Sequence, residues 1–346
     1  MQLDADCDPR TNIGCGIDSR SPALSLIDYS MPESSSRMTA LTIGNYDGVH
    51  QGHQMLIQQA RQRVGSSGKV VVLSFHPHPM TVLDPDRAPE QIDSFACRKA
   101  RLLEAGADEV VELKPEPALL AKEPDVFLDD VIEAHKPQLI IEGHDFHFGR
   151  RRAGTPELLD RLCEDRGIQT EILGPVKVTL TDQSVVTASS SLVRWLLANG
   201  RVRDAAFVLG RSHQLVGTVE QGEQLGRTIN IPTINLKTES LLPTDGVYSG
   251  FARFTHQQQD QRILAAINIG TRPTVQGTIR RAEAHLINPD ASPWSPEPDM
   301  PAYHWDCTLQ VVGWVRDQVK FDSLETLKQQ IRRDCQRICE TLLCNC

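Results

Sequence analysis

The sequence predicts an α/β domain followed by a small antiparallel β-barrel and a closing helix. Three observations carry this. A chain of 346 residues has two domains as its natural prior. Up to about residue 198, short β-branched runs alternate with helical patterns, as in a parallel sheet covered by helices. Beyond about residue 205, runs alternate between apolar and polar residues, with Gly, Pro and Asp turns between them, as barrel strands do.

Composition narrows the function classes. An apolar fraction of 40% suffices for ordinary cores. A net charge of −9 argues against a general nucleic-acid surface, which needs basic residues to neutralise phosphates. No apolar run reaches the length of a membrane span, and Val70 to Phe75 is typical of the longest. The first thirty residues carry Asp4, Asp6, Asp8 and Asp18 and no apolar core. No signal peptide is read there, and a cytoplasmic location is expected. Self-association is left open. Nine cysteines without a secretory signal read as free thiols. Cys335, Cys339, Cys344 and Cys346 crowd the C-terminus. A zinc knuckle is the competing reading, weakened because no second half with zinc-finger spacing follows.

In chain order, residues 1–37 mix Asp, Ser, Pro, Gly and Arg without a period and are expected to be disordered. Either Met31 or Met38 is a candidate start. Residues 38–204 form the first expected domain and 205–346 the second. Ala40 to Ile43 is a short apolar run that reads as a buried strand. Gly44-Asn45-Tyr46-Asp47-Gly48 is turn chemistry. From about 51 to 64 the pattern is helical, with Met55, Leu56 and Ile57 as its apolar face. Lys69 to Phe75 is a continuous β-branched run, as in a strand buried on both faces. Helices are expected over 98–105, 124–135, 156–165 and 191–198, and strands over 109–113, 139–141 and 170–173. Val126, Phe127, Val131 and Ile132 mark the apolar side of the second of these helices. Residues 201–210 read as a link. Alternating runs follow at 215–220, 247–254, 263–269, 281–287 and 308–315. Asp322 with Glu325 fits a capping box, and Leu324, Leu327, Ile331, Ile338 and Leu342 follow with helical spacing.

The chemistry concentrates where strands end. The polar stretches 44–53, 76–79 and 142–152 all fall at carboxyl ends of expected strands, where open α/β sheets bind ligands. His50 and His53 stand where the first helix begins and lie on one face. A helix start offers unpaired N–H groups and the positive dipole end, which suit phosphate. A His-x-Gly-His string alone arises by chance. Strand, glycine-flanked loop and helix around it give it meaning.

In that context the string resembles the HxGH nucleotidyltransferases. Its pairing with a barrel carrying Pro232-Thr233-x-Asn235 resembles the bacterial bifunctional riboflavin kinase/FAD synthetase family, over about residues 38–342. The stretches 43–53, 74–79, 143–154 and 189–194 follow the family's order in the first half. The stretches 209–211, 226–235, 246–248, 268–274 and 283–286 do so in the second. Tyr46 stands where the family has Phe, Asn230 where it has Gly, Ile234 where it has Ala, and Tyr303-His304 where it has Tyr-Gly. Asn tolerates φ > 0 better than most residues.

The resemblance implies a Rossmann-like first domain, a six-stranded antiparallel barrel with a terminal helix, and two reactions. The first half would transfer AMP from ATP to FMN, giving FAD and pyrophosphate. His50, His53 and Arg194 would act on the phosphates. Gly44, Asn45, Asp47, Gly48, Ser189, Ser190 and Ser191 would line the ATP site, and Asp145 and Phe146 the flavin side. The second half would phosphorylate riboflavin with ATP. Thr233 and Asn235 would hold Mg2+, Glu283 would act as general base, and Gly222, Gly226 and Arg227 would cover the phosphates. Tyr248 would border the flavin. Two alternatives stay open. One is an FAD synthetase whose barrel only binds flavin; the other is a non-catalytic flavin carrier or sensor.

Overall fold

A computed structural model describes residues 37–221, 231–274 and 277–343. The first half follows the expected alternation. Strand β1 (Thr39–Gly44) leads to α1 (Gln51–Val64), and β2 (Lys69–Phe75) to the short α2 (Met80–Leu83) and to α3 (Phe95–Glu104). Then come β3 (Glu109–Leu113), α4 (Pro117–Leu120), α5 (Pro124–His135), β4 (Leu139–Gly143), α6 (Pro156–Glu164) and β5 (Gln169–Leu173). The strands form one parallel sheet in the order β3-β2-β1-β4-β5. Chain order reverses at β1, so the loop after β1 opens at the switch point of the sheet.

Both faces of this sheet are covered, which explains its uninterrupted apolar strands. Ala40, Val70 and Val72 face a core shared with Ile57, Ala60 and Leu102. Leu41, Ile43, Val71 and Leu73 face the opposite core with Phe127, Leu128 and Leu159. The buried stripe of α1 is Ile57, Ala60 and Val64, at helical spacing, and Met55 is exposed. On α5 the stripe is Phe127, Leu128 and Val131, and Val126 faces solvent. The expected faces hold at Leu56 and Ile57 in α1 and at Phe127, Val131 and Ile132 in α5, and fail at Met55 and Val126.

A two-stranded antiparallel ribbon, β6 (Lys177–Thr179) with β7 (Val185–Thr187), precedes α7 (Ser190–Ala198). The segment expected to be a link is a helix, α8 (Val202–Leu209). Val202, Ala205, Val208 and Leu209 make its buried face, and Gly210 ends it at φ 72. Eight residues behind a glycine give too short a period to stand out in sequence.

The second half is a closed barrel. Its strands are β8 (His213–Glu220), β9 (Ile234–Thr238), β10 (Gly246–His256), β11 (Gln259–Thr274), β12 (Gly277–Ile287) and β13 (Asp306–Arg316). They close in the order β10-β11-β12-β9-β8-β13, leaving no free sheet edge. Leu215, Leu236, Ile267, Ala282, Ala284 and Leu309 fill one core with residues of α7 and α8, such as Val193 and Val208. The two halves therefore share a hydrophobic core.

The last helix, α9 (Leu324–Leu343), lies on the outer face, burying Cys335, Ile338, Cys339 and Leu342 against Val247, Phe251 and Leu264. Ser323 caps it: its Oγ accepts from Thr326 N–H at 3.2 Å, and Thr326 Oγ1 accepts from Ser323 N–H at 3.3 Å. This reciprocal box lies one residue later than the expected Asp322–Glu325 pair, and Leu324 is exposed. Cys335 and Cys339 pack in this core, and burial pushes the Cys335 thiol up to about 12 and raises Cys339. Cys344 and Cys346 lie outside the described residues.

Candidate functional site

The first site is built on the β1–α1 loop. Three of its residues take positive φ: Tyr46 at 52°, Gly48 at 80° and Val49 at 42°. For Tyr46 and the β-branched Val49 such a backbone costs about 1–3 kcal/mol each and persists only when its surroundings hold it. They do. The Tyr46 ring is buried, with its hydroxyl 2.5 Å from Thr42 Oγ1. The Asp47 carboxylate points inward. It accepts from the backbone N–H groups of Ile92 and Asp93 and pairs with Arg98 at 3.3 Å and Arg194 at 2.5 Å. Arg98, itself buried, also donates to the carbonyls of Asn45 at 2.8 Å and Phe75 at 2.9 Å, tying the ends of β1 and β2 together. Asp47 was expected to line the phosphate site. Its carboxylate is turned inward and holds two arginines at the end of this loop.

The histidines meet as the sequence suggests. His50 is the N-cap of α1, and its Nδ1 accepts from Gly52 N–H at 3.1 Å. That bond fixes the proton on Nε2, leaving it a donor. The His50 and His53 rings stack at 3.7 Å. A side chain at position 52 would press on His50 Cε1 at 3.0 Å, which accounts for the glycine between them. Burial lowers His50 to about 4, with Arg211 and Arg194 pulling the same way and Asp145 opposing them. Burial, then His50 and Arg98, lowers His53 well below its usual range. Both rings are therefore neutral near pH 7. Asn45 Oδ1 and His53 Nδ1 are buried without a hydrogen-bond partner. Such orphans are costly in a folded protein and mark where a ligand's polar groups would dock.

Around this centre stand the other candidates. Arg194, on α7, donates through Nε to Glu90 O at 2.6 Å and through Nη2 to Asp47. A guanidinium offers five N–H donors, so it has capacity beyond these bonds. Ser189 caps α7, accepting from Leu192 N–H at 3.2 Å, and Ser190 Oγ donates to Asp47 O at 2.7 Å. Ser191 is exposed on the first turn of α7. Gly44 ends β1 beneath the Tyr46 ring. Asp145 is exposed in the turn after β4, and Phe146 stacks on Phe148 at 5.3 Å. Sequence reasoning missed Arg98, and it missed His78, whose Nε2 lies 3.3 Å from Asn45 Nδ2. The Ser74-to-Pro79 stretch at the end of β2 was the available signal for His78.

The second site is a row across the barrel. Glu283 on β12 lies opposite Asn235 on β9 and Asn268 on β11, and Asn235 lies opposite Glu220 on β8. Directly paired residues share a face. Their neighbours Leu236, Ala282 and Ala284 point into the barrel core, so this row points outward. Glu283 and Asn235 are half-buried, and Thr233 is exposed just before β9. Gln318 Nε2 donates to Asn268 Oδ1 at 2.8 Å. A cleft of about 250 Å³ opens beside Asn235 and Glu220, walled by Lys237, Thr238, Arg280 and Arg281. Thr233 and Asn235 each offer a side-chain oxygen, which fits a hard cation such as Mg2+.

Tyr248, expected beside the flavin, is a core residue in this structure. It is fully buried in the shared core, its hydroxyl donates to Thr244 O at 2.6 Å, and Trp314 packs edge-on at 5.1 Å. Alternation along β10 turns it inward. Gly222, Gly226, Arg227 and Asn230 lie outside the described residues.

A parallel sheet with His50-x-Gly-His53 at its switch point, joined to a closed six-stranded barrel, defines a two-domain transferase of the HxGH nucleotidyltransferase class. Family models described as FAD synthetase and riboflavin kinase match residues 32–189 and 209–342. The chain belongs to the bifunctional riboflavin kinase/FMN adenylyltransferase family. It is 30% identical over 314 residues to the family member of Escherichia coli (strain K12), covering 88% of this chain and 93% of that one. It is 28% identical to that of Bacillus subtilis (strain 168), over 86% of this chain and 91% of the relative. A crystal structure described as a macrolide-efflux protein from Streptococcus pneumoniae superimposes with a TM-score of 0.74 at 26% identity, covering 87% of this chain and 94% of that one. Among the described residues of this chain, no helix is long and apolar enough to cross a membrane.

Proposed function

We propose that the protein makes FAD from riboflavin in two ATP-dependent steps, with FMN as product of one site and substrate of the other. The barrel half, residues 205–346, phosphorylates riboflavin, and residues 38–204 adenylylate FMN. The two family-model matches support this division. ATP and flavins as substrates make the cytoplasm the place of action.

In the first half, an oxygen of the FMN phosphate attacks the α-phosphorus of ATP. The bond to the β-phosphate oxygen breaks, and pyrophosphate leaves. No side chain needs to form a covalent bond, so the work is alignment and charge stabilisation. His50 donates from Nε2 to a phosphate oxygen, and Arg194 adds a fixed cationic fork. Asp47 and Arg98 hold Arg194 and the loop in place. Asp145 and Phe146 flank the flavin side. The observation that carries this reading is the pair of buried, partnerless polar atoms beside the stacked histidines, Asn45 Oδ1 and His53 Nδ1.

In the second half, the terminal ribityl hydroxyl attacks the γ-phosphorus of ATP and ADP leaves. Glu283 takes the hydroxyl proton. Thr233 and Asn235 would hold Mg2+, which when bound would offset the negative charge of the ATP phosphates. The register that sets Glu283 opposite Asn235 supports placing base and metal ligand side by side.

Incubation with riboflavin and ATP, followed by separation of the flavins, tests both halves. FMN should appear first and FAD after it, with ADP and pyrophosphate released. FAD from supplied FMN, without turnover of riboflavin, would leave the barrel as a binding module only. Tight flavin binding without pyrophosphate release would reduce the protein to a carrier.

A further inference from the structure

The junction between the halves also forms a wall of the first site. After α8 the chain turns at Gly210, and the Arg211 side chain enters behind the β1–α1 loop. Its Nη2 donates to Gly48 O at 2.7 Å, and its Nη1 donates to Val49 O and Leu209 O, each at 3.2 Å. Nη2 also lies 3.2 Å from the Asp93 carboxylate, which is 1% exposed and pairs with Arg101 as well. Gln54 adds bonds from Nε2 to Val49 O at 2.8 Å and to Leu209 O at 2.9 Å.

These bonds act on the left-handed part of the loop. Gly48 and Val49 take positive φ, and their carbonyls turn toward Arg211. In a planar trans peptide the C=O and the next N–H point opposite ways. Anchoring Val49 O therefore sends the His50 N–H away from Arg211, and it fixes where His50 leaves the loop. A planar guanidinium meets three carbonyls and a carboxylate together, which an ammonium cannot do with the same geometry. Burial, with Arg101 nearby, pulls Arg211 down to about 10, so it remains a cation near neutral pH.

We propose that Arg211 is a positioning residue for adenylyl transfer: it clamps the carbonyls of Gly48 and Val49 and thereby sets His50 against the ATP phosphates. The inference rests on the reading of the first half as an FMN adenylyltransferase. Its consequence is that a residue within the riboflavin kinase match, 209–342, controls the reaction of the other half.

The test uses Arg211→Ala and Arg211→Lys in the full chain, with both reactions measured on the same preparations. A loop displaced by a fraction of an ångström to 1 Å costs up to about 10²-fold in rate. Arg211→Ala should therefore lose about 10²-fold in kcat for FAD formation from FMN, with KM for FMN changed far less. Millimolar ethylguanidinium should restore part of that rate. Arg211→Lys keeps the charge but loses the fork, and should fall between parent and Ala. Riboflavin phosphorylation should stay within about two-fold in both variants, since Arg211 touches nothing in the Glu283 row. Adenylyl transfer by Arg211→Lys at the parental rate would overturn the proposal, as would equal loss of both reactions in that variant. A parent chain that makes no FAD from FMN would instead remove the functional reading on which the inference stands.

Discussion

The two reaction centres are held in different ways. The β1–α1 loop is pinned from behind by buried ions: Asp47 with Arg98 and Arg194, and Asp93 with Arg101 and Arg211. Its conformation is strained at Tyr46 and Val49. The barrel centre uses no strained residue in its row. Strand register alone sets Glu220, Asn235, Glu283 and Asn268 side by side, half-buried on an outer face. One centre depends on partners far apart in sequence. The other depends on hydrogen-bonded neighbours of a closed sheet. The first should therefore be sensitive to distant substitutions and to pH, and the second chiefly to changes in the row itself.

The largest effect should come from within that row. Glu283→Gln keeps size and hydrogen bonding but accepts no proton, and loss of a positioned base costs about 10²–10⁴-fold in rate. Riboflavin phosphorylation should fall by that factor, with riboflavin and ATP binding little changed. FAD formation from supplied FMN should be untouched. A Glu283→Gln protein that phosphorylates riboflavin within a few-fold of the parent would make Glu283 an ordinary strand residue.

The mirror experiment is His53→Ala. Removing one preorganised group from a charge-stabilising site costs about 10²–10³-fold. FAD formation should drop at least that far while riboflavin phosphorylation continues. Loss of both reactions in a folded variant would contradict two separate centres.

A pH titration separates the regions by stability. An ordinary histidine titrates near 6.5, and His50 in the fold near 4. As pH falls between these values, the unfolded chain binds a proton that the folded chain refuses. Stability should therefore decline with falling pH across this window, by about 3 kcal/mol from His50 alone. His53, His213 and His285 are also lowered, chiefly by burial, and act in the same direction. Denaturant unfolding at pH 7 and pH 4.5 measures this. Buried Glu142, whose pKa burial raises, acts in the opposite direction, so the His50 share is read as the difference in slope between parent and His50→Gln, and identical slopes would show that His50 is not held neutral. His50→Gln should flatten part of the slope, whereas Glu283→Gln should not.

What was legible in the sequence follows the same contrast. Strand and helix positions were readable because the apolar periods are local, and His50 and His53 because they sit in a strand-loop-helix context. The supports of the loop were not. Arg98 looks in sequence like a solvated helix residue, and Arg211 stood only within the stretch 209–211 with no role attached; tertiary packing alone brings both to the loop. Asp47 looked like a turn residue open to ligand, yet its carboxylate closes inward on groups 45 to 147 residues away. The burial of Tyr248 was not legible, because alternation gives two faces without saying which is inside. The α8 helix was missed because its single apolar stripe spans barely two turns.

The smallest predicted effect concerns the helix that covers the barrel. Ser323 satisfies the Thr326 N–H at the start of α9, and Thr326 returns a bond to Ser323 N–H. An N-cap serine replaced by alanine typically costs about 1 kcal/mol. Ser323→Ala should therefore lower stability by about that amount, while Asp322→Ala, one residue outside the box, should change it far less. The helix lies on the same outer face as the Glu283 row but contributes its burial through Ile338 and Leu342, at the other end of α9. Both reactions should proceed at parental rates at 25 °C, because fraying the first turn leaves that packing in place. If Ser323→Ala instead slows riboflavin phosphorylation while FAD formation from FMN holds, the start of α9 is part of the barrel centre. Register alone would then be insufficient to build it.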